Sequence, residues 1–406
     1  MAQYKNKNSF FWKFKQIIQR VFLLDFFEIV FFLMERLFVK EKKRLLFIIW
    51  GPEIFSDNSK YLFEYLNKKN DFEVLLFVRD KEVYKELFQK YPQQTIYGLS
   101  LKGFKTFFKS KTVIISSGLD KFYFLPYYLS PRNKNIIQLW HGSLFKRLGF
   151  QVKNWEKIKS RKVFQKYSKF IACSTLERFM ISSCFNIKMD DIWISDYPRN
   201  DYFFKPDNSL LEAHPYLNSK VILYAPTWRE EGYKVKFFPF DDVDIAQIQS
   251  FLEQNDTYLL IRGHKEECER IYNNYDLPIG QTSRILPASQ EIFPESEKLL
   301  QHVDILITDY SGIYIDFLLL NKPIIFIPYD MEEYSTYRGV LLNYDKYTGG
   351  PKVFNQKDFL KEIEAYLNNP KKDSELRLKL RDTFHDYSDG KACERIEDNL
   401  IKFLSE

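Results

Sequence analysis

Short apolar runs alternate with helix-length segments along most of the chain. The runs are continuous and lack the polar and apolar alternation of half-exposed strands, which is typical of parallel strands covered by helices on both faces. The predicted strands cover residues 45–50, 74–78, 112–116, 135–140, 170–174, 192–195, 221–224, 258–262, 304–308 and 323–328. The pattern therefore predicts an α/β protein with parallel sheets.

A polar stretch containing proline, residues 202–218, interrupts this pattern. At 406 residues the chain also exceeds the size at which one hydrophobic core normally suffices. We therefore predict two α/β domains that face one another, at 45–205 and 206–406, preceded by a separate segment at 1–44. Ligands of such domains bind in the crevice outside the carboxyl ends of the strands, so we expect the site there.

Positive charge is concentrated in the N-terminal segment. Residues 1–44 hold ten Lys or Arg against four Asp or Glu, a surplus equal to the +6 net charge of the whole chain. The rest of the chain is balanced, which argues against a nucleic-acid partner. Large apolar side chains alternate with lysines between residues 5 and 24, as in helices that lie in a lipid interface.

The same segment is unlike a membrane span, because its most apolar part, residues 21–34, is short and contains Asp25 and Glu28. We expect residues 1–40 to contact the cytoplasmic face of the membrane peripherally. The alternative is a helix that packs on the first domain and exposes a basic face to solvent.

Several common sites are missing from the sequence. The four cysteines are scattered, without a CxxC pair or a neighbouring histidine cluster, which favours a reduced compartment and predicts neither zinc nor disulfides. No secretory signal with a cleavage site is visible. The chain has no P-loop, no GxGxxG motif and no cluster of metal-ligand residues, so we expect neither a dinucleotide nor a metal cofactor.

The segment 305–320 predicts an anion site. An apolar run ends at Asp309-Tyr-Ser-Gly312 and restarts with a helical pattern at Ile313. Backbone N–H groups at such a strand-to-helix turn have no intrahelical partner, and phosphate would satisfy them together with the helix dipole. Asp309, Ser311 and Gly312 are therefore candidate binding residues. The alternative is that Asp and Ser merely cap the helix.

Two of the five histidines directly follow predicted strands. His141 lies in Trp140-His-Gly-Ser-Leu-Phe-Lys146, and His264 lies in Arg262-Gly-His-Lys265. Histidine titrates near neutral pH and can accept a hydroxyl proton, and beside Arg262 it can donate to phosphate. A structural role remains the alternative for each. The other three, His214, His302 and His385, are assigned structural roles.

A further strand end carries polar groups in Tyr224-Ala-Pro-Thr-Trp-Arg229. Thr227 and Arg229 could reach phosphates from the second domain. Arg229 could equally be a surface cation paired with one of the acidic residues that follow it.

Taken together, an ordered set of motifs resembles the CDP-glycerol glycerophosphotransferase family, the primases and polymerases of teichoic acid and related capsule polymers. The motifs are Phe55-Ser-Asp-Asn-Ser-Lys60, Trp140-His-Gly-Ser-Leu-Phe-Lys146, Tyr197-Pro-Arg-Asn-Asp201, Tyr224-Ala-Pro-Thr-Trp-Arg229, Arg262-Gly-His264, Thr308-Asp-Tyr-Ser-Gly312 with Asp316, Tyr329-Asp330 and Tyr337-Arg-Gly339. The resemblance covers roughly residues 45–400. It departs from the family at Gly312, where a second serine is usual.

The resemblance implies a GT-B-like enzyme with two Rossmann-like domains facing across a cleft. Such an enzyme transfers glycerol phosphate or ribitol phosphate from CDP-glycerol or CDP-ribitol, a co-substrate, to a hydroxyl of a lipid-linked glycan or polyol-phosphate acceptor. The family's proposed base falls on His141.

From these motifs we expect an acceptor hydroxyl, deprotonated by His141, to attack the β-phosphorus and release CMP. The residues expected to hold the pyrophosphate are His264, Arg262, Thr227, Ser311 and Gly312, with Arg229 and Arg338 as further candidates. Lys146 could attract the acceptor phosphate. Asp309 is expected either to cap the helix at Ile313 or to bind a donor hydroxyl, and the cap is favoured.

Two other functions remain open at this point. One is a nucleotide-sugar glycosyltransferase on the same architecture, which would release a nucleoside diphosphate. The other is a non-catalytic, membrane-associated assembly protein.

Overall fold

The computed structural model describes residues 33–49, 55–69, 71–117, 134–152, 167–229, 235–263 and 283–405. His264, Lys265, Cys268 and most of the predicted membrane-contact segment lie outside the described residues. The contacts divide the chain into two compact units. The first takes its described residues from 1–55, 66–139 and 162–169, and the second from 56–65, 140–161 and 170–406.

The first unit contains a parallel sheet. Its strands are β1 (Glu41–Ile49), β2 (Glu73–Val78), β3 (Thr95–Tyr97), β4 (Ser110–Ile115) and β5 (Asn135–Gln138). They lie in the order β3-β2-β1-β4-β5. Their pairings are parallel throughout. The helices α2 (Lys81–Lys90) and α3 (Leu101–Lys109) connect them, and each begins at a side-chain cap, Asp80 or Ser100.

Three of the residues 33–40, Glu35, Phe38 and Lys40, contact the first unit before β1 begins. Phe38 stacks on Phe108 of α3 with ring centroids 5.3 Å apart. Glu35 is 2% exposed and lies 3.2 Å from the ammonium nitrogen of the buried Lys134. The predicted segment boundary at residue 44 falls inside β1, which begins at Glu41. The contacts of Glu35 and Phe38 join the residues before β1 to the first unit as well.

The second unit contains a short parallel pair and a second parallel sheet. The pair is β6 (Lys169–Ala172), whose last three residues belong to this unit, and β7 (Ile192–Ile194). The sheet strands are β8 (Lys220–Tyr224), β9 (Thr257–Ile261), β10 (Ile285–Pro287), β11 (Ile305–Thr308) and β12 (Ile324–Phe326), in the order β10-β9-β8-β11-β12. Counted from β8, this is the same 3-2-1-4-5 order as in the first unit, the doubly wound order of nucleotide-binding folds.

The first of the described helices of the second unit precedes these strands in the chain, and the others lie between and after them. They are α1 (Asp57–Leu66), α4 (Thr175–Phe185), α5 (Ile245–Gln254), α6 (Ser296–His302), α7 (Ile313–Phe317), α8 (Met331–Tyr337), α9 (Gln356–Asn368), α10 (Ser374–Phe384) and α11 (Ala392–Ser405). The 3-10 helices are Gly149–Gln151, Met189–Asp191, Pro198–Phe204, Pro215–Asn218 and Leu318–Leu320.

Successive residues of the sheet strands enter opposite hydrophobic cores. In β8, Val221 and Leu223 belong to one cluster, whereas Ile222 and Tyr224 belong to the other. Side chains alternate across a strand, so this division means that both faces of the sheet are covered. The predicted α/β class with parallel sheets is confirmed.

The division into units differs from the predicted domain boundary at residue 205, because the contacts place residues 140–161 and 170–205 with the C-terminal half of the chain. Within the described ranges, no helix is long and apolar enough to cross a bilayer.

Candidate active site

The loop Trp140–Leu144 carries His141 and is held along its backbone. Trp140 and Gly142 adopt positive φ angles of 55° and 154°. The polar contacts are Asn58 Nδ2 to the Trp140 oxygen (3.1 Å), Arg199 Nη1 to the His141 oxygen (3.2 Å), Tyr197 Oη to the Gly142 oxygen (3.4 Å) and the Leu144 N–H to Glu177 Oε1 (2.8 Å). His141 itself is exposed. The His141 imidazole is thus accessible to solvent, while the backbone that carries it is held in place.

Glu177 of α4 is a buried acceptor for this loop. Besides the Leu144 N–H, its carboxylate accepts hydrogen bonds from the Cys173 N–H at 2.7 Å and from the Tyr197 hydroxyl at 2.9 Å. Burial raises the pKa of Glu177, although these donors lower it in part. Because α4 and the loop are far apart in sequence, the local pattern gave no sign of this contact.

The turn after β11 contains Asp309, whose two carboxylate oxygens are both occupied. Oδ1 accepts the backbone N–H of Thr227 at 2.7 Å and that of Tyr310, and Oδ2 pairs with Arg229 at 2.8 Å. Asp309 does not cap the following helix. The expectation of a cap at Ile313 is wrong, because the side chain turns back toward β8.

The helix after this turn is short. α7 (Ile313–Phe317) has five residues, and Gly312 at its N-terminus offers no side-chain cap. Ser311 Oγ lies 3.4 Å from the Ile313 nitrogen, a long contact. The helix dipole therefore contributes little to anion binding at this turn, because so few peptide units are aligned.

Arg229 is a buried residue that pairs with two carboxylates. Its guanidinium donates to Asp309, to both oxygens of Asp330 at 2.9 Å and to the Thr227 carbonyl at 2.7 Å. The rings of Tyr310, Tyr329 and Tyr334 surround it at 5.2 to 5.5 Å. The side chain is 3% exposed. The alternative of a surface cation is wrong, because Arg229 is buried, and its role toward phosphate stays a prediction.

Thr227 and Asp309 meet where the strand order of the second sheet reverses. Thr227 follows β8 and Asp309 follows β11, and these are the neighbouring first and fourth strands of the doubly wound order. In such sheets, ligands bind outside this reversal point. Thr227 Oγ1 is buried and has no hydrogen-bond partner within the described part of the chain. A buried hydroxyl of this kind normally has a partner, so a ligand atom is a reasonable one.

Arg262 follows β9 and is half-buried. Its Nη1 donates to the carbonyl oxygens of Ala288 and Phe293, at 3.0 and 3.2 Å. Its role toward a pyrophosphate stays a prediction.

Lys146 and Arg338 lie on two segments that touch. Lys146 forms an antiparallel bridge with Val340, and Arg338 Nη1 donates to the Arg147 carbonyl at 3.3 Å. Both candidates are half-buried, and their roles toward phosphates stay predictions.

The loop and the turn are in direct contact. Ser143 Oγ donates to Asp316 Oδ1 of α7 at 2.9 Å. A Cβ atom placed on Gly312 would lie 2.3 Å from the Ser143 carbonyl oxygen. The glycine that departs from the family pattern therefore permits a close approach of the two backbones. His141 and the 309–312 turn thus share one compact unit.

Arg199 joins the loop to both neighbouring elements, and sequence reasoning gave it no role. It pairs with Asp57 at 3.0 Å, with Asp316, and more distantly with Glu297 at 3.7 Å. Its presence in the Tyr197-Pro-Arg-Asn-Asp201 motif was the available signal.

His385 is more than a packing residue. Its Nδ1 lies 3.3 Å from Asp196 Oδ2, and its Nε2 lies 3.0 Å from the Ile315 carbonyl oxygen. Burial lowers the pKa of His385, but the Asp196 carboxylate outweighs burial and raises it to about 9. Cys173 lies within 4.8 Å of the same atoms, and burial raises the pKa of its thiol. We interpret the group as a buried ion pair with a protonated thiol beside it.

Sequence comparison identifies relatives over most of the chain. A teichoic acid glycerol-phosphate transferase of Staphylococcus aureus (strain NCTC 8325 / PS 47) is 28% identical over 370 residues, covering 86% of this chain and 90% of that protein. A teichoic acid poly(ribitol-phosphate) polymerase of Bacillus spizizenii is 31% identical over 297 residues, which cover 70% of this chain and 46% of that longer protein.

Structure comparison confirms the GT-B-like fold. The wall teichoic acid polymerase TagF matches with a TM-score of 0.72 and 21% identity, over 99% of this chain and 98% of that one. A UDP-GlcNAc 2-epimerase from Neisseria meningitidis matches with a TM-score of 0.54 and 15% identity, over 88% of this chain and 99% of that one. At these identities the likeness concerns the fold alone.

The family match extends over residues 29–402 and includes both the His141 loop and the 309–312 turn. It agrees with the ordered motifs from which the resemblance was inferred, and it makes the chain an enzyme of the glycerophosphotransferase class. The chain belongs to the CDP-glycerol:poly(glycerophosphate) glycerophosphotransferase family.

Proposed function

We propose that the chain transfers an alcohol phosphate, glycerol phosphate or ribitol phosphate, from a CDP-alcohol to a hydroxyl of a polyol-phosphate or lipid-linked acceptor. The observation that carries the proposal is the contact between the His141 loop and the 309–312 turn within one unit. The contact brings a residue able to take a proton next to a turn with backbone donors for phosphate.

In the proposed reaction the acceptor oxygen attacks the β-phosphorus of the CDP-alcohol. The hydroxyl proton passes to the His141 imidazole, a new phosphorus–oxygen bond forms, and the bond to the bridging oxygen of the diphosphate breaks. CMP leaves with that oxygen. Catalysis of this kind depends mainly on positioning and on neutralising charge, so fixed donors are more useful than a mobile side chain.

The donor side of the site is built around the strand reversal. Thr227 Oγ1 is a buried hydroxyl able to donate to a phosphate oxygen, and the Ser311–Gly312 backbone lies on the neighbouring strand end. Arg229 contributes indirectly, because its ion pairs with Asp309 and Asp330 keep both strand ends in place. His264 and Arg262 remain proposed contacts to the diphosphate.

The identity of the released nucleotide tests this proposal. The purified chain is incubated with CDP-glycerol, CDP-ribitol, UDP-glucose or UDP-N-acetylglucosamine, together with a short soluble glycerol phosphate oligomer as acceptor. We expect saturable CMP release from at least one CDP-alcohol. Release of UDP from a sugar nucleotide would instead support the glycosyltransferase alternative, and no turnover of any donor would support a non-catalytic role.

We also propose peripheral contact with the cytoplasmic face of the membrane through the N-terminal segment. Leu37 and Val39 lie at its described end and are 81% and 84% exposed, close to Lys40, Lys42, Lys43 and Arg44. Exposed apolar side chains flanked by lysine and arginine are typical of surfaces that bind anionic lipid. Such a location would suit a lipid-linked acceptor of teichoic acid or capsule synthesis.

A further inference from the structure

We propose that Arg199 and Asp316 form a positioning pair that sets the His141 loop relative to the 309–312 turn. This inference rests on the proposed function, because the pair would hold the base, His141, at a fixed distance from the transferred phosphate. Neither residue is expected to touch the substrate.

The Arg199 side chain bonds to the backbone of His141. Its Nη1 donates to the His141 carbonyl at 3.2 Å and to Asp57 Oδ1 at 3.0 Å, while Nη2 donates to Asp316. The side chain is 10% exposed, which leaves it little freedom to adopt another rotamer. The planar guanidinium thus fixes three groups at once.

The Asp316 carboxylate accepts hydrogen bonds from both Arg199 and the loop. Its Oδ2 accepts from Arg199, and its Oδ1 accepts from Ser143 Oγ at 2.9 Å. Ser143 lies two residues after His141, and Asp316 lies one helical turn after Gly312. Both oxygens of one carboxylate therefore connect the loop to the element that follows the turn.

The contact at Gly312 makes this connection tight. Because the Ser143 carbonyl oxygen lies only 2.3 Å from the place of a Cβ atom, any side chain at residue 312 would push the turn and the loop apart. The Ser143 and Arg199 hydrogen bonds to Asp316 oppose the same separation. The spacing of the loop and the turn thus depends both on the glycine and on the Asp316 carboxylate.

The charges around Arg199 argue for a role beyond stability. Burial raises the pKa of Glu297 to about 7, against the lowering effect of Arg199, and burial also raises the pKa of Asp316. Burying these charged groups costs free energy, so the cluster is weak evidence that Arg199 stabilises the fold. The fixed geometry that Arg199 gives to the His141 loop is the stronger reason for its presence.

The kinetic consequence differs from that of a structural residue. A displacement of a reacting group by roughly 1 Å can lower the rate by about 100-fold, while binding of the donor is unaffected. Loss of the pair should therefore lower kcat and leave KM for the CDP-alcohol nearly unchanged.

The test uses the full chain with Arg199→Lys, Ser143→Ala and Asp316→Asn, and Arg284→Lys as the matched control. Arg284 pairs with Asp256 on the surface. Lysine retains the charge of Arg199 but cannot bond to three groups in a plane. Ser143→Ala removes the hydrogen bond to Asp316, together with a long contact to Cys173 Sγ at 3.8 Å, without changing any charge, so it remains informative if Arg199→Lys lowers Tm.

We expect kcat for CMP release to fall about 100-fold in Arg199→Lys and about 10-fold in Ser143→Ala and Asp316→Asn, with KM within about threefold of wild type. In the Ser143→Ala/Asp316→Asn double variant the losses should be less than multiplicative, since both act on one contact. Unchanged kcat in Arg199→Lys and Ser143→Ala, or a rise in KM without loss of kcat, would overturn the inference.

Failure of the proposed function would look different. It would be an absence of CMP release by the wild-type chain with every CDP-alcohol. Hydrogen exchange of the Leu144 amide gives a readout independent of substrate. It should accelerate in Ser143→Ala and not in Arg284→Lys, and equal protection in both would overturn the positioning role.

Discussion

The Ser143 carbonyl oxygen lies 2.3 Å from the position that a Cβ atom would occupy on Gly312. The backbone of Gly312 has φ −63° and ψ −11°, which any residue can adopt, so the requirement for glycine is purely steric. The contact between the His141 loop and the turn expected to bind phosphate therefore requires that residue 312 has no side chain.

Gly312→Ala should accordingly push the loop away from the turn. We expect kcat to fall about 10-fold or more, because the base is displaced, and the free energy of unfolding to fall by about 1–3 kcal/mol from overpacking. Steady-state CMP release and urea unfolding measure these effects. Gly349→Ala is the matched control, because a Cβ there would meet a side-chain carbon of Leu380 at 3.1 Å instead of backbone. Equal activity in the two variants would contradict the account.

Arg229→Lys should act on the donor side of the site. A lysine cannot bond to Asp309, Asp330 and the Thr227 carbonyl together, so the ends of β8 and β11 lose their common anchor. We expect KM for the CDP-alcohol to rise at least about fivefold and Tm to fall by several degrees. Arg381→Lys, at an exposed pair with Asp382, serves as the control and should leave both unchanged. An unaltered KM would mean that Thr227 and the turn do not bind the donor.

The buried His385–Asp196 pair should make stability depend on pH. Because the folded-state pKa of His385 is about 9, above its ordinary value of 6.5, its contribution is fully present below pH 6.5 and disappears as the pH rises through 9. Burial acts to raise the pKa of Asp196, but His385 outweighs it and lowers that pKa, so the Asp196 contribution is lost only in acid.

Urea unfolding at pH 6 and pH 9.5 tests this directly. We expect the wild-type chain to lose up to roughly 3 kcal/mol between these values from this pair, and His385→Gln to lose much less. His302→Gln should behave like wild type, since His302 is only half-buried and its Nε2 meets a single carbonyl oxygen. A pH dependence that survives in His385→Gln would show that other groups cause it.

The N-terminal segment should be removable without loss of chemistry, provided that the deletion stops at residue 32. Glu35 is an ion-pair partner of the buried Lys134, and the Lys40 ammonium donates to the Phe108 carbonyl at 2.6 Å, so a deletion to residue 40 would damage the first unit. We expect deletion of residues 1–32 to weaken binding to vesicles containing anionic lipid and to spare turnover of a soluble acceptor. Undiminished vesicle binding would refute the proposed anchor.

Much of the fold could be predicted from the sequence, because the strands carry their signal locally. Continuous apolar runs such as 221–224 and 304–308 gave the strands at nearly their observed bounds. The strands β3 and β10 were missed, since three residues at the edge of a sheet need no long apolar run. Their existence depends on pairing with β2 and β9.

The site was harder to predict, because its side chains are set by contacts between distant segments. The motif containing Asp309 was recognised, but its partner Arg229 lies 80 residues earlier in the chain, so the pairing of the two side chains was not predicted. Likewise, nothing near Arg199 in the sequence points to Asp316 or to the His141 carbonyl. The motifs located the site, whereas the contacts of Arg199, Arg229 and Asp309 became known only from the packing of the second unit.

The most direct test of the account is CMP release by His141→Asn compared with wild type, with CDP-glycerol affinity measured on the same preparations. The imidazole is exposed and the backbone of its loop is held by Asn58, Arg199 and Tyr197, so the variant should fold and bind donor within about threefold of wild type. We predict that its turnover falls by about 1,000-fold or more, as for loss of a general base. Turnover near the wild-type rate would contradict the assignment of His141 as the base.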